Sequence, residues 1–549
     1  MSAVQPISRR QFLTYLGVGA AAMLGSLAGL DPVTHVAAAA ERTARPPSRK
    51  GRGSSRFANF QPLPPLRKND VVVPKGFSYT VLASFGDTIN AKGETFGDST
   101  DLTVYFPIDA LSGGNNAEDG LLWVNHEFPV PGNYLKMLGI HPDAVPKERL
   151  AQYPELLRLQ KQAVGGSVIR VRKVKGTWKL VQDERYNRRI DATTPVQLTG
   201  PARGSAAVKG ATVVEGTLGN CGGGRTLWNT VLSCEENTEY GTVYGWPDFI
   251  DEHYGWVVEI DPFNPDAPIR KHTALGRFAH ENAAMTLTKD GRVVVYMGDD
   301  KADECFYKFV SAKKYNPDRR EANFDILESG TLYVADLLHC RWIPLDYETN
   351  EKLRTYQKDG QPFFKSQADV LTYTREAARA VGATPLDRPE DVEVHPLDGT
   401  VYLALTNNLR HGNFYGQILR FIPTDGDHGS DTFTFEVFAV GGPQSGLACP
   451  DNLCFDSAGN LWVAVDYDPG ETGAYAPFGN CGFFLIPTEG KNAGEALQFL
   501  SGPDGCETTG PFFAPDEKTL FLGIQHPDTW NPHPRHGFGR SAVIAVTSG

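Results

Sequence analysis

At 549 residues, with 57 Gly, 38 Pro, 11% aromatics and a formal net charge of -12, the chain is too long for one simple core and reads as a turn-rich β protein. The acidic balance excludes a nonspecific nucleic-acid binder, because polyphosphate attracts basic surfaces. Eight Cys over this length, at 221, 234, 305, 340, 449, 454, 481 and 506, exclude a disulfide scaffold and point to one or two bridges beside free or metal-bound thiols.

The N-terminus reads as an address. Ser8-Arg9-Arg10-Gln11-Phe12-Leu13 precedes an apolar run through Leu30, and Ala38-Ala39-Ala40 follows. Paired arginines, an apolar stretch and small residues form the pattern of a twin-arginine export signal over 1–40. Thr14, Gly17, Gly19 and Ser26 interrupt the apolar run, which argues against a membrane anchor, and no later segment is apolar enough to span a bilayer. This route exports folded proteins, often with a cofactor already loaded, and so gives a first pointer to a metal centre. Residues 41–69, rich in Arg, Pro, Ser and Gly, read as a flexible leader. The rest, 70–549, is expected to be one domain.

Within 70–549 one strand form recurs: a turn, a β-branched or aromatic run, then a polar group. Glu118-Asp119-Gly120 leads LLWVNHE, ending at Glu127. Val145–Ala163 follows as a helical insertion, with Pro154 breaking or restarting the helix. Gly224-Arg225 then leads TLWNTVLSCEE, ending at Glu236. Lys289-Asp290-Gly291 leads RVVVYMGDD, and Ser329-Gly330 leads TLYVADL. A second, polar helical insertion covers 347–383 and is expected over the surface. Leu397-Asp398-Gly399 leads TVYLALTNN, Ser457-Ala458-Gly459 leads NLWVAVD to Asp466, and Asp516-Glu517-Lys518 leads TLFLGIQH to His526. Seven echoes at this spacing predict an all-β fold, a β-propeller of about six blades, with five to seven open, carrying helical insertions.

Several partner strands open on an acid. Glu281 precedes the 289–291 turn, with Asp299 and Asp300 at the far end of the hairpin. Glu390 and Asp391 precede the 398 turn, Asp451 the 458 turn and Glu507 the 517 turn. A hairpin brings its two open ends to one sheet edge, where like charges repel unless a cation binds. In a propeller, the same edge of successive blades meets at one mouth, so these acids predict a metal site there. Ordinary turn chemistry is the plainer reading of any one of them.

GNCGGGRTLWNTVLSCEEN (219–237) is the most informative stretch. Three consecutive Gly permit close backbone approach beside Cys221. The returning strand ends in Cys234-Glu235-Glu236-Asn237. Thiolate suits iron or zinc, and clustered carboxylates suit calcium. A buried inert thiol or a disulfide remains open for Cys221, and a solvated strand end for Glu235 and Glu236. No GxGxxG after a strand, P-loop or GxSxG elbow occurs.

These stretches, with NHEF (125–128), YGWVVEIDPFNP (254–265), HTALGRFAHENAA (272–284), RPEDVEVHP (388–396), CPDNLCFDSAGNLWVAVD (449–466), GCETTG (505–510) and IQHP (524–527), resemble in order the PhoX-type alkaline phosphatases. The resemblance implies a propeller phosphatase with iron and calcium ions bridged by an oxo group. It implies Cys221 as an iron ligand, Glu281 and Glu390 as carboxylate ligands, and Arg388 on the substrate phosphate, where its planar fork fits. Glu235, Glu236, Asp451 and Asp466 are further ligand expectations, with Glu127, Asp299, Asp300 and Glu507 behind them. A plain ion pair to Glu390 or Asp391 remains open for Arg388. Small phosphate esters as substrates, the export machinery as partner, a monomer without an anchor after processing, and a periplasmic or secreted location follow from the same reading.

Three positions depart from the family. Leu227 and Asn229 stand where Pro and Gly are usual, and Ala279 where Lys is common. A lactonase or phosphodiesterase on the same scaffold, or a noncatalytic calcium-stabilised propeller, stays open, since fold alone does not fix function.

Overall fold

Turn chemistry sets the hairpins. Gly291, Gly399 and Gly459 take φ of +90°, +70° and +85°, values that favour glycine, and each closes a turn between two strands. The structure, a computed structural model, describes residues 57–130, 153–237, 239–468, 473–527 and 538–548. The export signal and residues 41–56 lie outside the described residues.

Six blades follow in chain order, antiparallel except for one parallel pair in blade 2, Pro195–Thr199 with Arg270–His272. Blade 1 starts with Thr100–Pro107 and Asp119–His126, blade 2 with Asn220–Arg225 and Val231–Glu235, and blade 3 with Ala284–Leu287 and Arg292–Gly298. Blade 4 starts with Pro389–Val394 and Val401–Leu405, blade 5 with Pro450–Phe455 and Leu461–Val465, and blade 6 with Thr508–Phe513 and Thr519–Ile524. The first strands touch one another in sequence, and that of blade 6 touches that of blade 1, so the ring is closed around a channel. The second strands, such as Leu461–Val465, are fully buried between neighbouring blades.

Seven echoes thus give six blades. The additional one, Gly330–Asp336, is the fourth strand of blade 3 and pairs with Phe306–Lys314 rather than opening a blade. A regular strand further out in a blade, with its second half buried, carries the same signal as an inner one, so pattern alone does not separate the two.

The ring is closed by the N-terminus. Phe77–Ser84 pairs with Ala542–Ser548 and becomes the outer strand of blade 6. The leader expected over 41–69 is therefore not free throughout: Phe57 is fully buried, Leu63 N donates to Gln498 O, and Asn480 N donates to Leu66 O. Phe57 fits between Trp462, Phe77, Phe499 and Phe513, an apolar site that composition does not reveal.

The first insertion is helical over Pro154–Ala163, with Pro154 in its first turn, where the missing N–H costs nothing; 145–152 lie outside the described residues. The second holds the helices Glu351–Thr355, Gln367–Thr372 and Thr374–Val381. It is not a surface cover alone. Leu353, Phe364, Val370, Leu371, Ala377 and Val381 join the core of blade 3. None of the eight cysteines, all among the described residues, forms a disulfide, so the expected bridges are absent.

Candidate metal centre

The first strand of every blade carries the same defect. In blade 1, Asp101 and Leu102 together oppose one partner residue, because Thr100 pairs with His126 and Thr103 with Val124. The same two-for-one count falls on Cys221-Gly222 in blade 2, Glu390-Asp391 in blade 4, Asp451-Asn452 in blade 5 and Gly510-Pro511 in blade 6. In blade 3 the extra residue lies within Glu281–Ala283, between the pairs His280–Asp299 and Ala284–Tyr296. A bulge re-aims a side chain out of the strand's alternation. Here it places Asp101, Cys221, Glu281, Glu390 and Asp451 at equivalent points of five blades. Gly510 takes the sixth.

These bulges need close approach. A Cβ on Gly222 would lie 1.9 Å from the Glu281 carbonyl oxygen, so only glycine lets blades 2 and 3 meet beside Cys221. Asn125 donates to the Cys221 and Gly222 carbonyls, the latter at 2.9 Å, and fixes the bulge from blade 1. The turn that follows is intact despite its altered sequence. Asn229 adopts φ +61°, a conformation Asn tolerates, its side chain accepts from Arg225 Nη2 at 2.6 Å, and Thr226 N donates to Thr230 O.

Ligand-type atoms gather in three overlapping groups: Asp101, Glu127 and Cys221; Cys221, Glu236 and Glu281; and Glu281, Glu390 and Asp451. Within each group these atoms lie within 4.8 Å of one another. Cys221 Sγ is 3.3 Å from Glu281 Oε1 and 3.5 Å from Asp101 Oδ2. Gln525 Nε2 bridges Asp101 Oδ2 and Glu127 Oε2 at 2.7 and 2.9 Å, and Tyr240 and Asn237 donate to Glu127 Oε1.

The electrostatics of the cluster favour bound cations. Burial, then the charges of Glu390 and Asp451, push the Glu281 carboxyl well above the usual carboxylate range. Burial and neighbouring acids push Glu236, Glu390 and Asp451 up as well, and burial with Asp101 and Glu281 pushes up the Cys221 thiol. Asp101 Oδ1 and Glu281 Oε2 are buried with no hydrogen-bond partner. Orphaned acceptors of this kind are costly unless a ligand satisfies them. One thiol with several carboxylates suits iron beside calcium, so the residues fit the expected ions.

Arg388 stands at the rim. It occupies the residue just before the first strand of blade 4 with φ +53°, as Ser99, Gly219 and Cys449 do before those of blades 1, 2 and 5. Its Nε and Nη2 donate to Asp300 Oδ1 and Oδ2 at 2.8 and 2.7 Å, and Nη2 is 2.7 Å from Glu390 Oε1. Its side chain remains 25% exposed. Lys301 adds a second cation, with Nζ donating to Asn237 Oδ1 at 2.8 Å and lying 4.0 Å from Glu236 Oε1. Asp300 N donates to the Ala279 carbonyl, so the position that lacks lysine lies on the strand edge beside Lys301.

Of the expected site residues, Cys221, Glu236, Glu281, Glu390 and Asp451 are brought together, with Arg388 against them. Glu235 is not. It faces the other way, fully buried, paired with Lys271 at 2.8 Å and bonded to Thr217 Oγ1 and Trp256 N. Adjacent strand residues point to opposite faces, so Glu235 and Glu236 could not both reach the cluster. Asp466 sits at the rim, 38% exposed and 3.8 Å from Arg388 Nη1, outside the three groups. Asp299 is engaged by Arg375. Asp101 and Lys301 were missed. Asp101 opens the partner strand of the NHE hairpin, and the rule that found Glu281 would have found it.

A family model described as alkaline phosphatase PhoX matches residues 58–528. A search of curated proteins finds no match. Among solved structures, Pseudomonas fluorescens PhoX in complex with vanadate, a transition state analogue, is 34% identical, with a TM-score of 0.79 over 90% of this chain and 98% of that one. A protein of unknown function from Dyadobacter fermentans (10% identity, 86% of this chain and 100% of that one, TM-score 0.37) bears no weight beside it. Neither does a gluconolactonase from Xanthomonas campestris (11%, 89% and 98%, 0.33).

Proposed function

The chain belongs to the PhoX family of alkaline phosphatases and is a metal-dependent phosphatase; on that premise we propose that iron and calcium are its metals and that Cys221, Glu236, Glu281, Glu390 and Asp451 hold them. The observation that carries this is the convergence of one buried thiol and four acids from four blades, with orphaned carboxylate oxygens among them. Asp101 and Glu127 complete the set on the blade 1 side.

Bound at this site, the ions would neutralise the ester's oxygens and favour attack by an oxygen nucleophile on phosphorus. The chain's own residues do the rest. Asp300 holds the Arg388 guanidinium in one plane through two parallel bonds, leaving Nη1 toward the open rim. A phosphate monoester dianion offers an oxygen to Nη1, and a charge-assisted donor there acts where charge accumulates during transfer. Lys301 raises the local positive potential on the opposite flank of Asp300 and draws the dianion toward the rim. No serine nucleophile is invoked.

Export by the twin-arginine route through Arg9 and Arg10, to the periplasm or beyond, and a monomeric mature enzyme belong to the same proposal. No helix among the described residues is long and apolar enough to cross a membrane.

The test is metal analysis of the exported protein together with turnover of p-nitrophenyl phosphate. Iron with calcium, and inhibition of turnover by vanadate, are the expected results. Arg388→Ala should lower kcat/KM by about 10²-fold, the scale for losing one transition-state donor, with metal content unchanged. Calcium alone, or metal loss in Arg388→Ala, contradicts the assignment.

A further inference from the structure

Beneath the cluster lies a second tier. The second bulge residues, Leu102, Gly222, Asn282, Asp391, Asn452 and Pro511, line the central channel, a cavity of about 410 Å³. Two of the polar ones are engaged. Asn282 donates to Val392 O and accepts from Ala283 N; Asn452 accepts from Gly510 N at 2.6 Å and donates to Glu281 and Asp451.

Asp391 is different. Its Oδ2 accepts from Leu453 N at 2.7 Å, while Oδ1 is buried with no partner, in a residue only 6% exposed. Two residues on, Glu393 lines the same channel, and among the described residues no cation pairs with its carboxylate. Arg225, the one basic side chain on the cavity wall, donates to Asn229 and lies over the Phe106 ring instead. A buried and a half-buried carboxylate of one strand therefore face the same cavity with no cation beside them among the described residues, an arrangement that is unfavourable unless a ligand neutralises them.

We propose that the channel binds one hard divalent cation of the calcium class between Asp391 and Glu393, a site separate from the rim cluster. Calcium takes 6–8 oxygens, more than two carboxylates supply, and the remainder would be water. At roughly 30 Å³ per water, the cavity has room for the ion and several of them. Cys454 lines the same wall, but a hard cation takes oxygen in preference to sulfur, which leaves the carboxylates and water as donors. Because Asp391 also accepts the Leu453 amide, such an ion would brace blade 4 against blade 5.

This inference does not depend on the phosphatase reading. Its test is elemental analysis of the purified holoenzyme, after exchange into metal-free buffer, for wild type, Glu393→Gln and Asp391→Asn. Both substitutions keep shape and remove one charge. One calcium fewer per chain in each variant, with iron equal to wild type, is the expected result. Equal calcium in all three proteins means a protonated, hydrated acid pair and overturns the proposal. Loss of iron in Glu393→Gln also overturns it, because the acid would then belong to the cluster. Wild type lacking iron while still holding a Glu393-dependent calcium would defeat the cluster assignment and leave this one standing.

Discussion

Cys221 is the one soft donor among the grouped residues, and its neighbours are all carboxylates. Replacing the thiol by a hydroxyl keeps shape and removes the ligand that prefers iron over calcium. Cys221→Ser is therefore expected to lose iron and to keep most calcium, read by elemental analysis; iron retained at the wild-type level defeats the thiolate role. The acids around it give a sharper prediction for the stripped enzyme. Their folded-state carboxyls are raised, so above about pH 4, where the unfolded chain has released its protons, the folded metal-free chain still binds them. Stability then falls as pH rises through the raised values. Metal binding has the opposite slope, since ligands must be deprotonated. The gap in Tm between holoenzyme and chelator-stripped protein should be small at pH 5 and large at pH 8. An equal gap at both pH values would contradict this account of the cluster.

At the scale of single elements, the bulge is the device that makes the site. Sequence showed acids where strands open, and so Glu281, Glu390 and Asp451 were legible. It did not show which residue of each acidic pair turns inward, because one inserted residue inverts every later side chain and leaves no mark in composition. Glu235 and Glu236 differ for a simpler reason, the alternation of adjacent strand residues, and Asp101 follows the same strand-opening rule as Glu281. The insertion at 347–383 was misjudged for a related reason: a short amphipathic helix looks the same on a surface as against a blade. The helix Thr374–Val381 brings Arg375 to Asp299, with Nη2 2.5 Å from Oδ1, and Asp299 is fully buried at the end of the strand that leads to Asp300. Arg375→Ala leaves a buried charge unpaired, a change that costs about 3–5 kcal/mol. Denaturant unfolding should show a loss of that order, and kcat should fall with it as Asp300 loses its support for Arg388. Unchanged stability would mean that the insertion contributes no anchoring through this pair.

For the whole molecule, closure decides whether the six first strands stay in register around the channel. A ring of blades leaves one joint that is not continuous in sequence, and here the chain covers it from its N-terminal side. Phe77–Ser84 fills the outer place of blade 6 beside Ala542–Ser548 and hides an edge that would otherwise be open to pairing with other chains. Upstream, Val72 pairs with Ser501 and Leu63 N donates to Gln498 O, so the same segment also follows the outer strand of blade 5. Phe57 is the anchor of this clasp. Its ring is enclosed by Trp462 and Phe499 of blade 5, Phe513 of blade 6 and Phe77 of the closing strand. Removing it leaves a cavity across the joint, and truncation of a buried Phe costs about 3–5 kcal/mol. Phe57→Ala should lower the denaturant midpoint by that free energy while iron content and kcat toward p-nitrophenyl phosphate stay at wild-type values, because none of the grouped ligands touches the ring. A variant that lost iron in parallel with stability would show instead that the clasp sets the geometry of the rim, and that the metal centre depends on closure from outside the blades that carry it.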